Sequence, residues 1–152
     1  MCVELGRLAQ GYGTTKGTNN VRFMDHDMIR NIPKDRTVTY GRIVVDYQPQ
    51  KHDPNRVRIT AGGNLIEYPD ELTTRTADLR TAKMLWNSVV STPNARYMCI
   101  DIKNMYLETP LDNYEYMRIP IELVPQEFIT EYNLHNKIFK GYLYMEIRKG
   151  IY

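Results

Sequence analysis

Residues 95–106 read ARYMCIDIKNMY, and the rest of the chain is organised around them. Tyr97, Met98, Cys99 and Ile100 form an apolar run whose length suits a buried strand better than a helix. Asp101 closes the run. A carboxylate leaving an apolar strand is costly unless it is solvated, paired or bound to a metal. Asp101 is therefore the first residue that asks for a functional explanation, with a capped turn as the plain alternative. Lys103 and Asn104 follow, and Tyr106 stands five positions beyond Asp101.

On the N-terminal side, Leu79, Ala82, Trp86 and Val89 recur at helical spacing, with Leu85 and Val90 beside them. They predict an amphipathic helix over about 77–90 that turns Trp86 into the core. Thr76 suits the N-cap and Asp78 the first turn, where the helix dipole favours a negative charge. Further back, TVTYGRIVVDY (Thr37–Tyr47) alternates. Ile43, Val45 and Tyr47 share one face, and Arg42, Val44 and Asp46 the other. QPQKHDPN interrupts it with two prolines, and Arg56–Ala61 resumes the alternation. The pair predicts a long hairpin with a basic rim of Lys51, Arg56 and Arg58, a rim that also protects a sheet edge against aggregation.

The flanks are less structured in this reading. Residues 1–20 are glycine-rich and polar, which predicts a poorly ordered loop. Val21–Met24 suits a short strand. Asp25, His26 and Asp27 have metal-ligand types but no second cluster near them in sequence, so a solvated turn is expected. Beyond Tyr106, Pro110 and Asn113 suggest turns and Tyr114–Ile119 a strand. Ile121–Tyr132 suggests a short helix compromised by Pro125, and Gly141–Ile147 a last strand. Asp112 and Glu115 have acid–base types in polar surroundings that suit solvated surface.

Composition narrows the classes. A chain of 152 residues suits one domain with a usable core. The formal net charge of +2 gives no bulk attraction for nucleic acid, so any basic surface must be local. Twelve tyrosines against three phenylalanines and one tryptophan suit half-buried sheet faces and base stacking alike. Cys2 and Cys99 form neither a disulfide framework nor a zinc pattern, and Cys99 reads as a small buried hydrophobe. An intracellular location follows as the expectation. Neither a signal peptide nor a membrane span is expected.

Taken in order, these segments resemble the reverse transcriptase of copia-like long-terminal-repeat retrotransposons. YGRIVVDYQPQKHDPNRVRITAGGNLI is similar to the fingers hairpin of that family, and ADLRTAKMLWNSVV to the helix leading into the palm. CIDIKNMYLETPL is similar to the first palm motif, NYEYMRIP to the segment after it, and EIRKGIY to the beginning of the next motif. The resemblance spans roughly residues 14–152 and is strongest from 37 to 119.

It implies an α+β fold, the fingers and partial palm of a right-hand polymerase. Residues 21–94 would be the fingers-like region and 95–152 a partial palm, after the poorly ordered 1–20. Asp101 would be a catalytic carboxylate binding one of two Mg²⁺ ions, with the Ile102 carbonyl beside it. The N–H groups of Asn104 and Met105 would lie near the triphosphate of an incoming deoxynucleotide. Tyr106 would be the steric gate under its sugar, and Lys51, Arg56 and Arg58 the cations facing its phosphates. Partners would be an RNA or DNA template-primer and deoxynucleoside triphosphates, with no membrane. The family carries further aspartates in a later Asp-Asp motif. No Asp-Asp dipeptide occurs here, so the resemblance implies a fragment that lacks the remaining palm and thumb segments and is inactive alone.

Overall fold

The alternating segments of the sequence become strands of one mixed sheet in a computed structural model. It describes residues 1–50, 54–66, 76–100, 102 and 104–151. The elements run α1 (Cys2–Leu8), β1 (Gly11–Tyr12), β2 (Thr15–Lys16), β3 (Val21–Phe23), α2 (His26–Arg30), β4 (Val38–Tyr47) and β5 (Asn55–Ala61). Then follow α3 (Leu79–Ser91), α4 (Met105–Glu108), β6 (Pro110–Pro120), α5 (Gln126–Glu131), β7 (Ile138–Phe139) and β8 (Tyr142–Lys149). Helix and strand are about equally represented, so the chain is of the α+β class. Among the described residues no helix is long and apolar enough to cross a membrane.

Two units emerge from the packing: Met1–Ile66 with Asn104–Tyr152, and Glu67–Lys103. The expected divisions at 20/21 and 94/95 do not coincide with them.

In the first unit the sheet order is β3-β8-β6-β4-β5, with β7 added on β8. Only β4 and β6 run parallel; the other neighbours are antiparallel. Strand β8, expected as a last strand, lies inside the sheet between β3 and β6. Leu143 through Ile147 are all buried, as befits a strand with neighbours on both edges. Leu143, Met145 and Ile147 turn to the main core, where Met117, Ile119, Val21, Phe23 and Phe128 meet them. Each such fully buried side chain contributes about 1.5–3 kcal/mol by leaving water.

Residues 1–20 correct the expectation of a loop. Leu5 and Leu8 of α1 are fully buried in the core, and the glycines serve close approach as well as turning. A Cβ on Gly17 would strike the backbone at Ala9 and Gln10, and one on Gly6 would strike Tyr12. The Tyr132 hydroxyl closes this region by donating to the Gly11 carbonyl. Glycine content alone does not distinguish a loose loop from tight packing of backbone on backbone.

Other corrections are local. Asp25, expected in a turn, caps α2 by accepting from the Met28 N–H at 2.8 Å. Pro110 and Asn113, expected as turns, lie within β6, where a shift in register between Pro110 and Glu115 absorbs them. Pro125 precedes α5 and so leaves the helix only Gln126–Glu131, after a short 3₁₀ turn at Ile121–Leu123.

The second unit differs most from expectation. Tyr97–Ile100 form no strand, and Met98, Cys99 and Ile100 are exposed. A strand requires a partner backbone, and none of the described residues of this unit supplies one. Helix α3 forms as expected, but its cap is Asp78, whose carboxylate accepts from the Thr81 N–H at 2.7 Å, in place of Thr76. Trp86 is 55% exposed and rests against Tyr97 with ring centroids 4.9 Å apart, so it is not a core residue.

Candidate nucleotide and nucleic-acid site

The hairpin forms because two alternating runs face each other in register. Ile43 opposes Ile59, Val45 opposes Val57, Val44 opposes Arg58, and Asp46 opposes Arg56. Strand β4 pairs with β6 only over Val38–Tyr40, whereas its ladder with β5 continues to Tyr47 and Asn55. The far half of the hairpin therefore extends past the sheet. Among the described residues no layer covers its apolar face there, and Val45 and Tyr47 stay about two-thirds exposed. Arg56 and Arg58 sit two positions apart and so share one face of β5. Both are half-buried. Asp46, opposite Arg56, accepts from the Gln48 side chain. Lys51, the third basic candidate, lies outside the described residues.

The second group of candidates flanks the start of α4. Asp101 and Lys103 are outside the described residues. Ile102, in the second unit, exposes 61% of its surface. Asn104, in the first unit, has φ +59°, a left-handed conformation that asparagine tolerates better than most side chains. Its carbonyl accepts from the Glu108 N–H at 3.2 Å, which starts α4. Met105 is the first helical residue and is half exposed. Tyr106 takes the second helical position, and its side chain is outside the described set.

What fixes this short helix is a residue that sequence reasoning missed. Leu107 is fully buried in the core. Its carbonyl accepts from the Asn20 side-chain amide at 2.9 Å, and the same amide donates to the Gly150 carbonyl at 2.6 Å. Asn20 is itself completely buried, and its own backbone carbonyl accepts from the Arg148 N–H at 2.7 Å. The Gly150 N–H in turn reaches the Thr109 carbonyl at 2.8 Å. Residues 104–109 are thereby tied to the end of β8. No spacing in the sequence announces a contact between Asn20 and Leu107.

Among the described residues no cluster of three or more His, Cys, Asp or Glu side chains is placed to hold a metal. The sequence triplet Asp25-His26-Asp27 serves local structure: Asp25 caps α2, and His26 Nε2 lies 3.0 Å from the Ile138 carbonyl oxygen. Glu115, expected to be solvated, pairs with Arg36 at 2.9 Å and keeps only 17% of its side chain exposed. Burial raises its pKa, and Arg36 partly opposes the shift.

Chemically, the hairpin offers cations on a projecting arm, and the start of α4 offers backbone N–H groups on a rigidly tied segment. Compared with protein families, with curated proteins and with solved structures, the chain matches none.

Proposed function

We propose that this chain is the fingers and early palm of a retroelement RNA-directed DNA polymerase. The observation that carries the reading is the order and spacing of its motifs in sequence. A hairpin with Arg56 and Arg58 comes first, then the helix of 79–91, then CIDIKNMY, then NYEYMRIP. Two features of the fold support it. The β4–β5 hairpin extends beyond the sheet, as a lid over an incoming nucleotide needs to. The segment carrying Asn104, Met105 and Tyr106 is anchored from both Asn20 and β8, which suits a residue acting as a steric gate.

In this reading Asp101 and the Ile102 carbonyl contribute to the Mg²⁺ site. Lys51, Arg56 and Arg58 neutralise the triphosphate, and Tyr106 excludes the ribose 2′-hydroxyl. Phosphoryl transfer by two metals requires several carboxylates around the ions. The chain contributes Asp101 and contains no Asp-Asp pair, so these residues do not by themselves fit a two-metal site. The remaining carboxylates would come from palm segments beyond those present. The template-primer and deoxynucleoside triphosphates are partners of that completed enzyme, in an intracellular setting.

The test is a graft of residues 1–152 onto the remaining palm and thumb of a copia-like enzyme. Template-directed extension should appear with Mg²⁺ and vanish in Asp101→Asn. Tyr106→Val should raise ribonucleotide use relative to deoxyribonucleotide use. A graft that folds yet shows neither effect sinks the assignment. The chain alone should extend no primer. The single palm carboxylate also favours a second reading, a nucleic-acid-binding protein without catalysis. Equal loss of both nucleotide classes in the Tyr106 variants, with oligonucleotide binding intact, would select it.

A further inference from the structure

Strand β3 ends the sheet on one side, and among the described residues no further strand pairs with its outer edge. Its ladder with β8 shows which backbone groups face outward. The Asn20 carbonyl accepts from the Arg148 N–H at 2.7 Å, and the Met24 N–H donates to the Tyr144 carbonyl at 3.0 Å. Hydrogen-bonded pairs alternate along an antiparallel ladder, so Asn20, Arg22 and Met24 turn their backbone groups to β8. Val21 and Phe23 turn theirs outward. One of these groups is already engaged, since the Phe23 carbonyl accepts from Lys137 Nζ at 3.0 Å. The Val21 N–H, the Val21 carbonyl and the Phe23 N–H remain in a row, without a partner among the described residues.

A notch of about 290 Å³ runs along this edge. Gln10 and Asn19 border it on one side, Tyr132, Leu134 and Lys137 on another. A strand of three residues is about 10 Å long, so the notch suits a short segment. Among the described residues no carboxylate lines it, whereas Arg22, Lys137 and Arg148 do. Arg148 is committed to Glu146 at 2.7 Å. Glu131, next to Tyr132, is exposed. Arg22 opposes Glu146 in the ladder, is exposed, and is in no ion pair among the described residues. Lys137 uses one of its three N–H donors on Phe23 and keeps the others.

We propose that this notch receives the C-terminal end of an extended peptide, added to β3 as a parallel strand. Edge addition of this kind draws affinity from backbone pairing and specificity from alternate side chains. Charge sets the direction, because a free carboxylate belongs at the Lys137 end, beside Phe23. The last residue of the peptide then donates its N–H to the Val21 carbonyl. Its carboxylate accepts from the Phe23 N–H and from Lys137 Nζ. The carbonyl two residues earlier accepts from the Val21 N–H. Every outward group of β3 is thereby used. Side chains alternate across a strand. The penultimate one falls on the face of Arg22 and favours Glu or Asp. The last falls on the face of Val21 and Phe23, and Leu134 at the border favours a small apolar residue there. The site uses neither the hairpin nor α4, and the inference does not rest on the polymerase reading.

The test is a titration of the ¹⁵N-labelled chain with the dipeptide acetyl-Glu-Ala, followed by NMR. The amides of Val21 and Phe23 should shift most, with saturation at millimolar peptide. The same dipeptide ending in a carboxamide should bind at least about tenfold more weakly, as loss of a charge-assisted contact requires. N-methylation of the alanine nitrogen, which removes the donor to Val21, should abolish binding. Arg22→Gln, at an exposed position, should weaken acetyl-Glu-Ala and leave acetyl-Gln-Ala unchanged. These peptide comparisons all use the wild-type chain and so hold whether or not the variant folds. Equal binding of acid and carboxamide overturns the proposal. So do full binding of the N-methylated peptide, shifts confined to other parts of the chain, or no shift at millimolar peptide.

Discussion

The side-chain amide of Asn20 donates to the carbonyl of Leu107 across 87 positions of sequence, and it also holds the carbonyl of Gly150. One fully buried asparagine thus joins the N-terminal segment, helix α4 and the end of β8. Asn20→Ala leaves two carbonyls without that donor. Each orphaned group costs about 1–3 kcal/mol when buried, so the variant should lose about 2–6 kcal/mol in urea unfolding. Amides of residues 105–108 should exchange faster in the same variant. A loss within the error of the measurement would show that α4 is held by Leu107 packing alone.

Glu115 provides a pH signature. Burial raises its pKa in the folded state, against a smaller opposing effect from Arg36. A carboxyl whose pKa rises on folding binds its proton more tightly in the native state. Its effect on stability is therefore most favourable below the ordinary carboxylate pKa, and it is lost as pH rises through the raised folded value. Glu115→Gln lacks this titration. From the ordinary carboxylate pKa upward the stability of wild type relative to Glu115→Gln should fall as pH rises. A gap that is flat or widens in favour of wild type contradicts the assignment.

Asp78 works in the opposite sense. The Thr81 N–H at the start of α3 holds its pKa below the ordinary value. The helix should therefore lose support as pH falls through that lowered pKa. Circular dichroism of Asp78→Ala should show less helix at neutral pH. Asp78→Asn keeps a side-chain acceptor at the cap and should retain the helix while losing the acid-side dependence. Identical acid titrations of wild type and Asp78→Asn would rule this out.

Helix α3 buries none of its residues. Leu79 and Met84 are each about two-thirds exposed or more, and Val90 is 82% exposed. Apolar surface of this extent promotes association. Size-exclusion chromatography should show concentration-dependent assembly, reduced in Met84→Lys with Val90→Lys. Trp86 is the only tryptophan, so its emission should shift to shorter wavelength as wild type associates. A wild type that stays monomeric at the highest soluble concentration would refute the expectation.

Local pattern determined much of this protein. The hairpin at 37–61 was legible because alternation is a property of neighbours in sequence: Ile43, Val45 and Tyr47 repeat at the period of a strand. Helix α3 was legible for the same reason at a different period. So was the placing of Arg56 and Arg58 on one face of β5.

Tertiary structure decided the rest. Whether an apolar run becomes a strand depends on a partner backbone elsewhere, which is why Tyr97–Ile100 finds no partner strand among the described residues while Tyr142–Lys149 lies inside the sheet between two neighbours. Whether glycines mark a loop or a close packing depends on what lies against them, as Gly6 and Gly17 show. The role of Asn20 depends on two carbonyls that are 87 and 130 residues away. Those are long-range pairings, and a side chain's own neighbours carry no record of them. The row of Tyr40, Arg118 and Tyr144 across β4, β6 and β8 lies between these cases. Each strand's alternation is written locally, but only strand order and register bring Arg118 beside Tyr40 and stack it on Tyr142.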